Sequence, residues 1–227
     1  MRSMKKINVA IDGPAGAGKS TVAKKVADRF SYIYIDTGAM YRSLTLEALK
    51  RNVDVHQEAD LVTLLDKTNL ELTAGQDGQK VYVNGTDVTQ DIRDREVTNQ
   101  VSYVAQHGKV RQAMLDLQRD MAENKGVVMD GRDIGTHVLP HAEVKVYLSA
   151  SIEERAKRRY IENQQNGEHL DLEKLKEEIR VRDEKDSNRE VAPLTKADDA
   201  TEIDTTGLSI DEVAQRISEL ITQYQKV

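Results

Sequence analysis

Residues 7–21, INVAIDGPAGAGKST, read as an apolar run, then a glycine-rich loop, then the first turn of a helix. Gly13, Pro14, Ala15, Gly16, Ala17, Gly18, Lys19 and Ser20 match the pattern G-x-x-x-x-G-K-[ST], and Thr21 follows it into the helix. Small residues let the backbone wrap closely around a phosphate, so that several N–H groups point inward. Lys19 adds a point charge for the β- and γ-phosphates, and the Ser20 hydroxyl is suited to ligate Mg²⁺ at the positive end of the helix dipole. A glycine-rich turn arising by chance would not also sit between an apolar strand and a helical pattern. The loop therefore points to a nucleoside triphosphate and leaves open what is done with it.

The chain has 227 residues, 38% hydrophobic and 32% charged, enough for one sizeable core with a small appendage. A net charge of −6 gives no global basic field for nucleic acid. There are no cysteines, so disulfides and thiolate metal sites are excluded. No apolar run approaches the length of a membrane span, and the first residues lack a signal-like apolar core, which points to a cytoplasmic protein. Met4 reads as a natural start, with Met1, Arg2 and Ser3 as an added leader.

Outward from the loop, strands are expected over residues 5–11, 32–35, 126–129, 143–148 and 201–204. Helices are expected over 19–30, 40–51, 59–67, 95–106, 109–123, 151–165, 172–185 and 209–224, the last opened by a capping serine. Residues 70–88 alternate apolar and polar positions between glycine turns, which predicts antiparallel hairpins forming a small inserted sheet. Elsewhere the alternation of strand and helix implies an α/β fold, a parallel sheet with helices on both faces. Ligands in such sheets bind beyond the carboxyl ends of the strands. The residues after each strand, 13–20, 36–38, 130–133 and 149–151, are therefore the candidates for a site.

Arg42 follows the second strand and Arg132 the third, on the same sheet edge as the glycine loop. Arg182, Asp186 and Arg189 are spaced for neighbouring turns of one helix face. Arginine binds phosphate bidentately, so this set suggests a second phosphate-bearing molecule. The plainer alternative for Arg155, Arg158, Arg159 and Arg180 is a solvated helix face. Asp130 closes an apolar strand, where a carboxylate can serve Mg²⁺ through its waters, the alternative being a cap or turn aspartate. The five histidines have no metal-ligand spacing and read as surface residues, and Tyr32, Tyr34 and Tyr147 read as packing.

Taken together, GPAGAGKST, IDTGAMYR, VSYVA followed by VRQAML, VVMDGRDIG, ERAKRR and RDEKDSNREVAPL resemble the bacterial cytidylate kinases, in this order and along nearly the whole chain. The resemblance implies a nucleoside monophosphate kinase with a five-stranded parallel core, an enlarged monophosphate-binding insert and a short mobile lid. Approximate divisions are a core of 4–36, 107–150 and 188–227, a monophosphate-binding region of 37–106 and a lid of 151–187. By motif match, Thr37, Arg42 and Arg132 would hold the acceptor phosphate; the family often has serine where this chain has Thr37. Ser102, Arg111 and Asp133 would face the cytosine, Arg182 and Asp186 the ribose, and Arg189 a phosphate. Arg158 and its neighbours would close over the triphosphate. The implied reaction moves the γ-phosphoryl group of ATP, with Mg²⁺, to CMP or dCMP, with Lys19, Arg132, Arg158 and Arg189 as the catalytic charges. Another pyrimidine monophosphate kinase is the near alternative.

From another class, a regulatory GTPase is suggested only by Thr195-Lys196-Ala197-Asp198, which resembles a guanine-reading element but follows no apolar strand. No long exposed apolar stripe calls for a partner, so a monomer is expected, with small nucleotides as its ligands and neither nucleic acid nor membrane among them.

Overall fold

The computed structural model describes residues 5–75, 78–165, 167 and 170–226. The expected start at Met4, and His169 among the histidines, lie outside the described residues. Five parallel strands form the main sheet: β1 (Asn8–Asp12), β2 (Ile33–Asp36), β6 (Val127–Gly131), β7 (Val144–Ser149) and β8 (Thr201–Asp204), in the order β2-β6-β1-β7-β8. The central strands β1, β6 and β7 are buried on both faces, and successive residues point to opposite sides of the sheet. Ile7, Val9, Ile11, Val128, Val146 and Ile203 point to one face, where they meet α1 (Lys19–Phe30) and α8 (Ile210–Gln225). Ala10, Ile35, Val127 and Met129 point to the other, under Ala122 of α5 (Gly108–Ala122) and the turn Ile134–Val138.

Nothing in the sequence pattern announces that turn. The amides of Val138 and Leu139 reach back five residues to the carbonyls of Asp133 and Ile134, giving a wide helical turn. Asp12 pins it by accepting from the Ile134 and Gly135 amides at 2.8 and 2.7 Å.

α2 (Thr37–Lys50) begins one turn earlier than the expected residue 40, because the Asp36 carboxylate at the end of β2 accepts from the Ala39 amide and caps it directly. α2 packs with α3 (Glu58–Leu65), α4 (Arg95–Ala105) and α5 through Met40, Leu44, Leu61, Val101, Val110 and Met114. The expected hairpins are a three-stranded antiparallel sheet, β3 (Leu70–Gly75), β4 (Gly78–Val83) and β5 (Thr86–Asp87), with Val81 and Val83 against Ala39 and Leu46 of α2. α6 (Ile152–Gln165) and α7 (Leu172–Asn188) pack on each other around a separate small cluster of Ala156, Leu175 and Ile179.

Candidate active site

Gly13 turns the chain out of β1 at φ +145°, with its α-carbon so close to β7 that a β-carbon would lie 2.1 Å from the Leu148 carbonyl oxygen. Only glycine fits there, and the loop is thereby held to the sheet. α1 then starts at Gly18 with no side-chain cap, which leaves its first-turn N–H groups to the loop interior. Lys19 folds back to donate from Nζ to the Pro14 carbonyl at 2.8 Å. Burial, and next the neighbouring Arg132, push the Lys19 amine down to about 7. The loop residues divide their labour: Ala15, Gly16, Gly18, Lys19, Ser20 and Thr21 line a cleft of about 770 Å³, while Ala17 faces the core and Gly13 the sheet.

Across from the loop stands Asp130, on β6 and 3% exposed. It accepts from the Ser20 hydroxyl at 3.1 Å and from the Tyr34 hydroxyl at 2.7 Å. Burial, then the charge of Asp36, raise its carboxyl to about 6 against the pull of Lys19. The Tyr34 ring packs against the core, as its place on a strand implies, and its hydroxyl also orients this carboxylate. Two hard oxygen donors in contact suit Mg²⁺, and among the described residues no group of three or more metal-ligating side chains is assembled. That donor set fits an ion whose remaining ligands are nucleotide phosphates and water.

The arginines divide into two groups. The first lies toward the loop. Arg42 donates to Asp36 at 2.8 Å, Arg132 donates from Nε to Asp186 at 2.8 Å, and Thr37 donates to the Asp130 carbonyl at 2.8 Å. Burial would push the Asp186 carboxyl up, but Arg132 and Arg182 reverse this and hold it below the ordinary range. Arg182 is disfavoured as a cation by burial and by Arg132, and its Nε has no hydrogen-bond partner among the described residues. A buried guanidinium group with an unmet donor is a site for an acceptor-bearing ligand.

The second group is built on Asp133, which takes Arg111 on one carboxylate oxygen and Arg189 on the other. Arg111 also lies over the Tyr41 ring, 5.6 Å from its centroid. Ser102 reaches Asp186 at 3.5 Å. Arg189, expected at a phosphate, has a side chain 4% exposed that stands with Asp133.

Arg158 lines the cleft near Gly18 but is engaged by Glu154 and by both the hydroxyl and carbonyl of Thr205. Arg155 departs from the solvated-face reading. It is 4% exposed and donates to the carbonyls of Ala15 and Ala150 and to Asp183. Sequence spacing carries no signal for such a role, because two of these partners are backbone atoms and one lies 140 residues away. Of the histidines, His107 is half-buried, with Nε2 2.9 Å from the Val55 carbonyl oxygen, rather than on the surface.

A phosphate-binding loop facing an arginine-lined second anion site in one cleft, on a five-stranded parallel α/β sheet, defines a kinase that phosphorylates a small phosphorylated acceptor, a nucleoside monophosphate kinase. The cytidylate kinase family model matches residues 9–223. The chain is 61% identical over 222 residues to the cytidylate kinase of Bacillus subtilis (strain 168), covering 98% of this chain and 99% of that protein. It is also 61% identical to that of Geobacillus kaustophilus, over 96% of this chain and 98% of the relative. This chain belongs to the cytidylate kinase family. Among solved structures, an uncharacterised protein from Eubacterium ventriosum superposes with a TM-score of 0.53 at 14% identity, over 96% of this chain and 99% of that one, which is a likeness of fold alone. The GTPase reading is set aside: Thr195–Asp198 lies in the loop before β8, and Lys196 pairs there with Glu202 at 2.9 Å.

Proposed function

We propose that this enzyme transfers the γ-phosphoryl group of ATP to CMP or dCMP, giving ADP and CDP or dCDP, with the residue roles that follow. The observation that carries this reading is the pairing of Arg111 with Asp133 at one end of a cleft whose other end is the phosphate-binding loop. Cytosine offers an N4 amino donor and N3 and O2 acceptors, so a carboxylate beside a guanidinium group matches it. Uracil turns an O4 acceptor toward the carboxylate and is disfavoured. Ser102 supports this end through Asp186.

Thr37, Arg42 and Arg132 hold the acceptor phosphate, Arg182 and Asp186 the ribose, and Arg189 steadies Asp133 while contributing charge toward the phosphate. Gly13–Thr21 hold the triphosphate, with Lys19 at its outer phosphates. Ser20 would ligate Mg²⁺, and Asp130 would accept from its waters. When bound, the ion neutralises charge on the transferring phosphoryl group. The acceptor phosphate is already anionic near neutral pH, so no strong general base is required. Alignment and charge neutralisation supply the catalysis. Arg158 leaves Thr205 to close over the triphosphate as residues 151–187 act as a lid, while 37–106 receive the monophosphate. Among the described residues no helix is long and apolar enough to cross a membrane. We place the enzyme in the cytoplasm as a monomer, acting on small nucleotides.

An ADP-release assay with ATP·Mg²⁺ and CMP, dCMP, UMP or AMP tests the reading. Turnover with CMP and dCMP, with a much lower kcat/KM for UMP, is expected, and Lys19→Ala and Arg132→Ala are each expected to lose about 10²–10³ in rate. Equal kcat/KM for CMP and UMP would discard the Asp133–Arg111 account of the base. Near-normal turnover by Arg132→Ala would remove that arginine from the mechanism.

A further inference from the structure

Gln79, on β4 of the inserted sheet, does not line the catalytic cleft. Its side chain instead meets the main sheet at the outer edge of β2. Nε2 donates to the Tyr34 carbonyl at 2.9 Å, and Oε1 accepts from the Asp36 amide at 3.1 Å. The inner edge of β2 is paired with β6 in parallel register, Tyr34 opposite Val128 and Asp36 opposite Asp130. In a parallel ladder, one residue of a neighbouring strand donates to the carbonyl of residue i−1 and accepts from the amide of residue i+1. The Gln79 amide makes both of these bonds. It stands in for a single residue of a sixth strand, opposite Ile35.

The end of β2 that it holds carries the acceptor-phosphate side of the cleft. Asp36 caps α2 through one carboxylate oxygen and takes Arg42 on the other. The next residue, Thr37, is tied to the Asp130 carbonyl, and the Tyr34 hydroxyl orients the Asp130 carboxylate. We infer that Gln79 is a positioning residue for the acceptor phosphate: through its side-chain amide the inserted sheet sets the backbone of residues 34–36, and with it the places of Thr37 and Arg42. The inference rests on the acceptor role given to those two residues above. Apolar packing of Val81 and Val83 against α2 already attaches the insert to the core, so the amide is available for alignment rather than for attachment alone.

Gln79→Leu keeps the size and removes both bonds. Gln79→Glu keeps an acceptor for the Asp36 amide and sets a carboxylate against the Tyr34 carbonyl. Steady-state constants for CMP and for ATP·Mg²⁺ are measured for each variant beside the wild type, well below the melting transition. The expected result is an acceptor KM raised about ten-fold, since small misplacements of binding groups are amplified in this way. The KM for ATP and the CMP-to-UMP ratio of kcat/KM are expected to change less than about two-fold, because Gln79 bonds the backbone of β2 and touches neither the loop nor the base pocket. Amide hydrogen exchange at Asp36 and Ala39 gives a readout independent of turnover and is expected to quicken. An unchanged acceptor KM, unchanged exchange, or equal rises in both KM values, as general loosening would give, overturns the inference. If the wild type itself does not use CMP, the functional reading fails, and exchange at Asp36 and Ala39 still decides whether Gln79 fixes this strand end.

Discussion

Asp130 is held in a place that does not favour its charge. Burial and Asp36 raise its carboxyl to about 6, while its two oxygens accept from Tyr34 and Ser20. A folded-state value above the unfolded one of roughly 4 means that the native state binds this proton more tightly. The stability that goes with the bound proton is present below about pH 4 and is lost as pH rises through about 6. Asp130→Asn stays neutral throughout. It is expected to melt with the wild type near pH 4 and to be more stable by about 1–3 kcal/mol above pH 7, while phosphoryl transfer falls. Melting curves at the two pH values check this, and the same gain at both would remove ionisation as its source. Lys19 and Ser20 stand out in the sequence because the phosphate-loop pattern is local, and Arg132 and Asp133 because DGRD is part of the family resemblance. Tyr34, Asp12 and Arg155 do not. A strand tyrosine looks like packing, and the partners of Asp12 and Arg155 are mostly backbone groups brought near only by the fold.

Elements were legible wherever their ends carry a chemical marker. α8 is opened by a complete capping box, Ser209 accepting from the Glu212 amide while Glu212 accepts from the Ser209 amide. Ser209→Ala is expected to cost about 1 kcal/mol of stability, read as a lowered denaturant midpoint. No change in midpoint would mean that α8 is held by Val213, Ile217 and Ile221 alone. α2 shows the opposite case. Its cap, Asp36, is also the last residue of β2, so the apolar strand signal runs straight into the helix and hides its first turn. The wide turn at Ile134–Val138 has no periodicity of its own. It exists because Asp12, on a strand more than a hundred residues earlier, accepts two of its amides.

At the scale of the molecule, the alternation of strand and helix was enough to give the parallel sheet, and the change of pattern at residue 70 gave the inserted one. What it could not give is which clusters cohere. α5 shares one core with α2, α3 and α4 and another with the sheet, so the expected boundary at residue 106 crosses continuous packing. α6 and α7, by contrast, share among the described residues only their own small apolar cluster. Leu175→Ala there is expected to speed amide exchange across α6 and α7 markedly, while the exchange of β1 and β6 stays as it was. Equal acceleration in the sheet would show that the helical pair unfolds only with the whole. The outer edge of the sheet holds a last consequence. Exposed strand edges are templates on which other chains can add. On the β2 side the outward carbonyl of Tyr34 and amide of Asp36 are already taken by a side chain of the same molecule. A newly made copy meeting this edge finds those two groups occupied, so the amide that squares the end of β2 also works against strand-to-strand aggregation.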